Sequence, residues 1–192
     1  MEKLETPQYH TKKKTTLYKE RSEEKRLEFK EALAKLNLDQ VVYLDEAGVD
    51  NRLFREYARA PKGQKITADI PGKKRERVSI IGGLINKTFI APFTFQGGCN
   101  RDVFNTWLER TLLPDLPKGT TVIMDNAAFH KSPRTRELIE KAGCHLLFLP
   151  TYSPDLNPIE HWWHKIKSLL KPLIQNASDN LIEILLKCLS TI

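Results

Sequence analysis

Two short apolar runs in this 192-residue chain each deliver an acid: Gln40–Leu44 runs into Asp45 and Glu46, and Thr120–Met124 runs into Asp125. A third acid, Glu160, follows the proline-rich segment Leu149-Pro-Thr-Tyr-Ser-Pro-Asp-Leu-Asn-Pro-Ile-Glu160 and opens an amphipathic stretch. Each has a plain structural use. Asp125-Asn126 is good turn chemistry, and Glu160 sits where a capping box needs it, with Asn157 at the cap and Pro158 at the first helical position. Together they point to chemistry. An Asp ending an apolar strand is costly to desolvate, and converging carboxylates repel unless a cation or a shared proton joins them. Hard oxygen ligands suit Mg²⁺ or Mn²⁺, and two such ions about 3.5–4 Å apart organise in-line phosphoryl displacement. Glu46 and Asp155 are the nearest competitors. Strand alternation turns Glu46 to the opposite face from Asp45, and Asp155 lies in the loop.

The elements that must position these acids are readable from periodicity. Phe29, Ala32, Leu33 and Leu36 mark a helix from Ser22. The run 40–44 is a strand, residues 54–60 are a candidate second strand, and Pro61–Arg77 is expected to be a mobile basic loop. Val78–Ile85 and Thr88–Phe95 form strands joined by a turn at Asn86-Lys87. A helix from Asn100 buries Val103, Phe104, Trp107, Leu108 and Leu112 and ends at Pro114. Strand 120–124 follows, then a helix from Ser132-Pro133 closed by Gly143, then strand 145–149. The next helix places Ile159, Trp162, Trp163, Ile166, Leu169 and Leu170 on one face and should stop at Pro172, before a last helix from Ser178. Meander strands followed by βαβ units imply an α/β fold, a mixed sheet with helices on both faces. Ligands in such sheets sit near the C-terminal ends of the parallel strands.

The blocks Val42-Tyr-Leu-Asp45-Glu-Ala-Gly48, Ile123-Met-Asp125-Asn-Ala-Ala-Phe-His130 and Leu149–Glu160 resemble the catalytic core of mariner-type DDE transposases, most nearly the bacterial insertion-sequence branch. Thirty-four residues separate Asp125 from Glu160, the spacing characteristic of that superfamily. The resemblance runs from about Lys14 to the C-terminus. It implies a ribonuclease H-like fold whose catalytic and metal-binding residues are Asp45, Asp125 and Glu160, with two Mg²⁺ or Mn²⁺ ions per site. The implied activity is cut-and-paste transposition: phosphodiester hydrolysis at the element end, then attack of the freed 3′-hydroxyl on target DNA. The implied partner is DNA, as element ends and as target, held by a homodimer in a synaptic complex. Family members carry N-terminal helix-turn-helix modules, and nothing before Ser22 reads as one. Residues 1–21 are therefore expected to be a linker or remnant of a DNA-binding region, and residues 22–192 the catalytic domain. A stand-alone nuclease of the same fold and a catalytically idle DNA-binding remnant are the alternatives.

Charge agrees with a polyanion partner. Lys and Arg outnumber Asp and Glu by 31 to 24, with clusters at Lys12–Lys14, Lys73–Arg75, and Lys165, Lys167 and Lys171. In a phosphate-handling enzyme, Lys73, Lys74, Arg75, Arg77, His130, His164 and Lys167 are the candidate DNA contacts. A structural hydrogen bond competes for His130, and core packing is the expectation for Trp162 and Trp163. Three scattered cysteines without a CxxC pair argue against a disulfide framework or zinc knuckle. No apolar run reaches membrane-spanning length, and the cysteine pattern sets the expected location as a reducing cytoplasm, associated with the nucleoid.

Overall fold

The computed structural model describes residues 18–50, 53, 59–67, 77–176 and 180–190. Five strands form one mixed sheet: β1 (Val41–Val49), β2 (Val78–Ile85), β3 (Thr88–Gln96), β4 (Thr121–Met124) and β5 (His145–Phe148), in the order β3-β2-β1-β4-β5. The β1–β2 and β2–β3 pairs are antiparallel, joined in the second case by Asn86 and Lys87, both at positive φ. The β1–β4 and β4–β5 pairs are parallel. Helices α1 (Glu23–Ala34), α2 (Arg101–Trp107), α3 (Pro133–Lys141), α4 (Ile159–Asn176) and α5 (Leu181–Leu189) complete the fold.

Strand alternation divides the core. Val42, Leu44, Val122 and Met124 meet Phe104, Trp107 and Leu108 from α2 and the turns after it, and Leu138 and Ile139 from α3. On the other face Ala47, Val49, Val78 and Ile80 meet Ile159, Trp163, Ile166 and Leu170 of α4 and the apolar side of α5. Phe29 of α1 packs beside them on Val41, Ile123 and Leu149. Helices therefore cover both faces, as the alternation of elements requires.

Several boundaries differ from the sequence reading. β1 runs to Val49, so Asp45 is mid-strand. Its parallel pairing with β4 ends at Tyr43–Ile123, while antiparallel pairing with β2 carries the strand on. Asp45 thus stands where β1 outruns β4. Pro172 lies inside α4. A proline removes one amide donor, and the burial of Leu170 against α5 outweighs that loss. Asn157 does not cap α4 with its side chain: its Oδ1 is buried without a partner, and only its backbone carbonyl accepts from Glu160 N, at 3.2 Å. Asn180 caps α5 instead of Ser178. The candidate strand at 54–60 and the basic loop fall largely outside the described residues, although residues 61–67 are neither helix nor strand. Among the described residues no helix is long and apolar enough to cross a membrane.

Asp155, the loop competitor, is already committed. The buried Arg26 of α1 grips it through Nη1 at 2.9 Å and Nη2 at 2.7 Å, a bidentate pair that clamps α1 to the proline-rich loop. Tyr18 continues the clamp by packing on Tyr152, ring centroids 5.6 Å apart. Arg26→Met keeps the buried stem and removes the fork, and should lower unfolding free energy by about 1–3 kcal/mol in a denaturant titration. Asp155→Asn should cost less, because that carboxylate is partly solvated. Strictly additive losses in the double variant would show the two side chains to be uncoupled.

Candidate active site

A cavity of about 340 Å³ opens at the C-terminal ends of β4 and β5, lined by Tyr18, Asp45, Asp125, Asn126, Asn157 and Glu160 among others. The three acids separated by 80 and 35 positions in sequence thus share one cavity. Each arrives by a different route. Asp45 rides on β1, facing α4. Asp125 follows the last residue of β4. Glu160 stands on the first turn of α4, behind the loop that Arg26 clamps.

Asp45 is held by two donors. Trp163 Nε1–H donates to its Oδ2 at 2.9 Å, and the Glu46 amide donates to its Oδ1 at 2.8 Å. Burial, then the negative charge of Glu160, pushes its carboxyl up to about 7, against those two donors. Glu160 itself is exposed, and its carboxylate makes no hydrogen bond among the described residues. The capping-box role expected for it is therefore not realised. Asp125 accepts from Ala127 N at 2.9 Å through Oδ1, and the same oxygen lies 2.6 Å from His130 Nδ1. Burial works to raise the Asp125 carboxyl, but the His130 and Ala127 hydrogen bonds, with the charges of His130 and Lys131, hold it below its ordinary value.

His130, a candidate DNA contact with a structural hydrogen bond as the competing reading, is buried and hydrogen-bonded. The residue is 1 % exposed, its ring packed against Phe104 and Phe129, each centroid 4.3 Å away. Its Nε2 meets Glu46 Oε1 at 3.1 Å. Glu46 does point away from Asp45, as strand alternation requires, and into this contact. Burial acts to lower the His130 pKa, but hydrogen bonds to Asp125 and Glu46 and their charges outweigh it and raise it to about 9. Cys99, near Glu46, has its thiol pushed up to about 12 by burial first and the Glu46 charge second.

The remaining candidates scatter. Lys73, Lys74 and Arg75 lie outside the described residues. Arg77 is exposed at the start of β2, and a Cβ on Gly48 would run into its guanidinium. His164 is exposed and Lys167 half-buried on α4, four and seven residues beyond Glu160 and so on its stripe of the helix. Lys165 lies 4.9 Å over the Trp162 ring. Sequence reasoning missed Trp163 as a site residue. It fits the core period of α4, and only its position three residues after Glu160 hints that its indole N–H faces the acids. The cysteines Cys99, Cys144 and Cys188 are free thiols. Among the described residues no three His, Cys, Asp or Glu side chains close into a metal cage; the acids line an open cavity.

Known proteins share this chain's family and fold. The family model described as DDE superfamily endonuclease matches residues 40–183. The chain is similar to the transposable element Tc1 transposase of Caenorhabditis elegans, 35% identical over 78 residues, which are 41% of this chain and 29% of that protein. The chain thus spans well under half of that relative. The fold matches the crystal structure of the Mos1 strand transfer complex with a TM-score of 0.71 at 18% identity, over 95% of this chain and 57% of that one. The mariner Mos1 paired end complex with Mg gives 0.62 at 16% identity, over 97% and 67%. The sheet and its flanking helices are those of a ribonuclease H-like fold.

The two raised groups act on stability in the same direction. His130, ordinarily near 6.5 and raised to about 9, contributes fully below pH 6.5, and the contribution is lost as pH rises through 9. Asp45, raised from 3.8 to about 7, favours the fold when protonated, and that contribution disappears as pH rises through 7. Differential scanning calorimetry in chelator should therefore show the unfolding temperature falling as pH rises from 6.5 to 9. His130→Asn should flatten the limb above pH 7.

Proposed function

Because the chain belongs to the DDE superfamily of endonucleases, we propose that it is the catalytic domain of a mariner-type cut-and-paste DNA transposase. The observation that carries this reading is the sharing of one cavity by Asp45, Asp125 and Glu160 at the strand ends. Its substrate is DNA, as element ends and as target, and its working form is a homodimer holding paired ends. The similarity to Tc1 transposase and to the Mos1 strand transfer fold supports both assignments. The insertion-sequence branch is supported by the Leu149–Glu160 block, and in that branch the chain would act in the cytoplasm, at the nucleoid. Residues 22–192, extended forward to Tyr18 by its contact with Tyr152, are the catalytic unit.

The donor set fits hard divalent cations. Glu160 has an unengaged carboxylate, Asp125 has an Oδ2 free of protein hydrogen bonds, and Asp45 is unfavourably charged beside Glu160. Asp45, Asp125 and Glu160 would hold Mg²⁺ or Mn²⁺, two ions per site, and no histidine or thiol is needed. Bound ions supply the charge that lowers the pKa of the attacking water and stabilises the departing oxygen. Trp163 and the Glu46 amide orient Asp45, while the clamped loop carries Glu160 to the cavity. Among the described residues no basic side chain lines the cavity, so the three acids repel a phosphodiester, and neutralisation must accompany its binding.

Glu160→Gln separates this reading from helix capping. Metal-free Glu160→Gln should melt at the native temperature or slightly above, because one of the repelling charges has gone. Plasmid nicking should collapse and the stabilisation by added Mn²⁺ should shrink. A variant that nicks normally but melts earlier with and without Mn²⁺ would leave Glu160 a structural role only. Incubating the native chain with a pre-cut element end and target plasmid divides the proposal from its rival: joined products support a transposase, and nicking without joining supports a stand-alone nuclease.

A further inference from the structure

We infer that His130 and Glu46 are a positioning pair that holds Asp125 in one orientation toward the cavity and ties it to the strand that carries Asp45. This rests on the reading of Asp125 as a metal ligand and deepens it.

The need for such a pair is visible in the sheet. Asp45 and Asp125 belong to neighbouring parallel strands, but the pairing between those strands ends at Tyr43–Ile123. Beyond it the backbones of β1 and β4 no longer fix one another, and both acids lie beyond it. The Asp125 side chain is 51% exposed, and an aspartate so placed at a strand end has several solvated rotamers open to it. His130 removes that freedom. Its Nδ1 and the Ala127 amide both engage Oδ1, which leaves Oδ2 unengaged.

The imidazole is itself enclosed and hydrogen-bonded at both nitrogens. Phe104 and Phe129 pack against the ring, and Glu46 holds Nε2. Glu46 is adjacent to Asp45 on β1, with its side chain 15% exposed on the opposite sheet face. The chain Asp125–His130–Glu46 therefore passes through the gap where β4 ends and β1 continues. It replaces the missing backbone link between the two aspartates with a side-chain link. Outer-shell partners that orient a ligand in this way typically govern metal affinity 10- to 100-fold.

Isothermal titration with Mn²⁺, without DNA and at fixed pH, tests the pair. His130→Phe keeps a ring against Phe104 and Phe129 but removes both hydrogen bonds. His130→Asn keeps one N–H donor for Oδ1. Mn²⁺ affinity should fall about 10- to 100-fold in His130→Phe, with native near-UV circular dichroism, and should fall less in His130→Asn. A His130→Phe chain that binds Mn²⁺ like the native one overturns the inference, as do equal losses in the two variants. Should His130→Phe fail to fold, Glu46→Ala decides, since it frees only the far end of the ring. Severalfold weaker binding supports the pair, and unchanged binding overturns it. Asp125→Asn distinguishes the two levels of the argument. If it binds Mn²⁺ as tightly as the native chain, the metal-ligand reading has failed. If it loses Mn²⁺ while His130→Phe does not, only the positioning role has failed.

Discussion

Placing carboxylates at the inner end of an apolar sheet is the constraint around which this domain is arranged. A charged oxygen there gives up water and must be repaid by donors or by a cation. The donors near each acid are ordered accordingly. Asp45, the most enclosed, receives an indole N–H and a backbone N–H and still has its carboxyl pushed up to about 7. Asp125, half-exposed, receives a backbone amide and an imidazole and is held below its ordinary value. Glu160, exposed on a helix, receives nothing. The three acids thus differ in how much protein already compensates them, and a cation entering the cavity would meet three different environments.

Keeping the Asp45 donor in place involves much of one sheet face. Gly82 pairs with Asp45 across the β1–β2 ladder, beside a register shift in β2. A Cβ there would run into the Phe89 ring. Without one, Phe89 packs edge-on to Trp163 at 5.3 Å and stacks beside Trp162 at 5.8 Å. That packing aims the indole N–H at Asp45. A glycine in one strand, an aromatic in the next and a tryptophan on α4 therefore serve one hydrogen bond, and none is an acid or lies in the proline-rich block.

The proline-rich loop owes its position to a similar alliance. Its prolines restrict the backbone, but restriction alone does not say where the loop sits. Arg26 supplies the location by reaching from α1 to Asp155, 129 residues away in sequence. Asn126, just after Asp125, adds a second anchor by donating to the Leu149 carbonyl. The loop that brings Glu160 to the cavity is thus fixed at its start by the strand carrying Asp125 and in its middle by α1.

By itself the sequence determined most of the described strands and helices, the α/β class and the three acids that the fold brings to one cavity. Those features are written in local periods, in turn residues such as Asn86-Lys87, and in a block of fixed spacing. It also settled the Glu46 orientation, because strand alternation is a local rule. The length of β1 was not legible: the strand persists past Leu44 through pairing with β2, a partner some 35 residues away. Nor was the fate of Pro172, where packing against α5 overrides a local helix breaker. His130, Trp163 and Arg26 are the clearest cases. A histidine five residues after an aspartate, a tryptophan on a core stripe and an arginine in a charged helix carry no sequence sign of their partners. Those partners lie 84, 118 and 129 positions away. Only the folded chain brings them within hydrogen-bonding distance, because whether a polar group is buried, and beside what, is a property of packing and not of spacing.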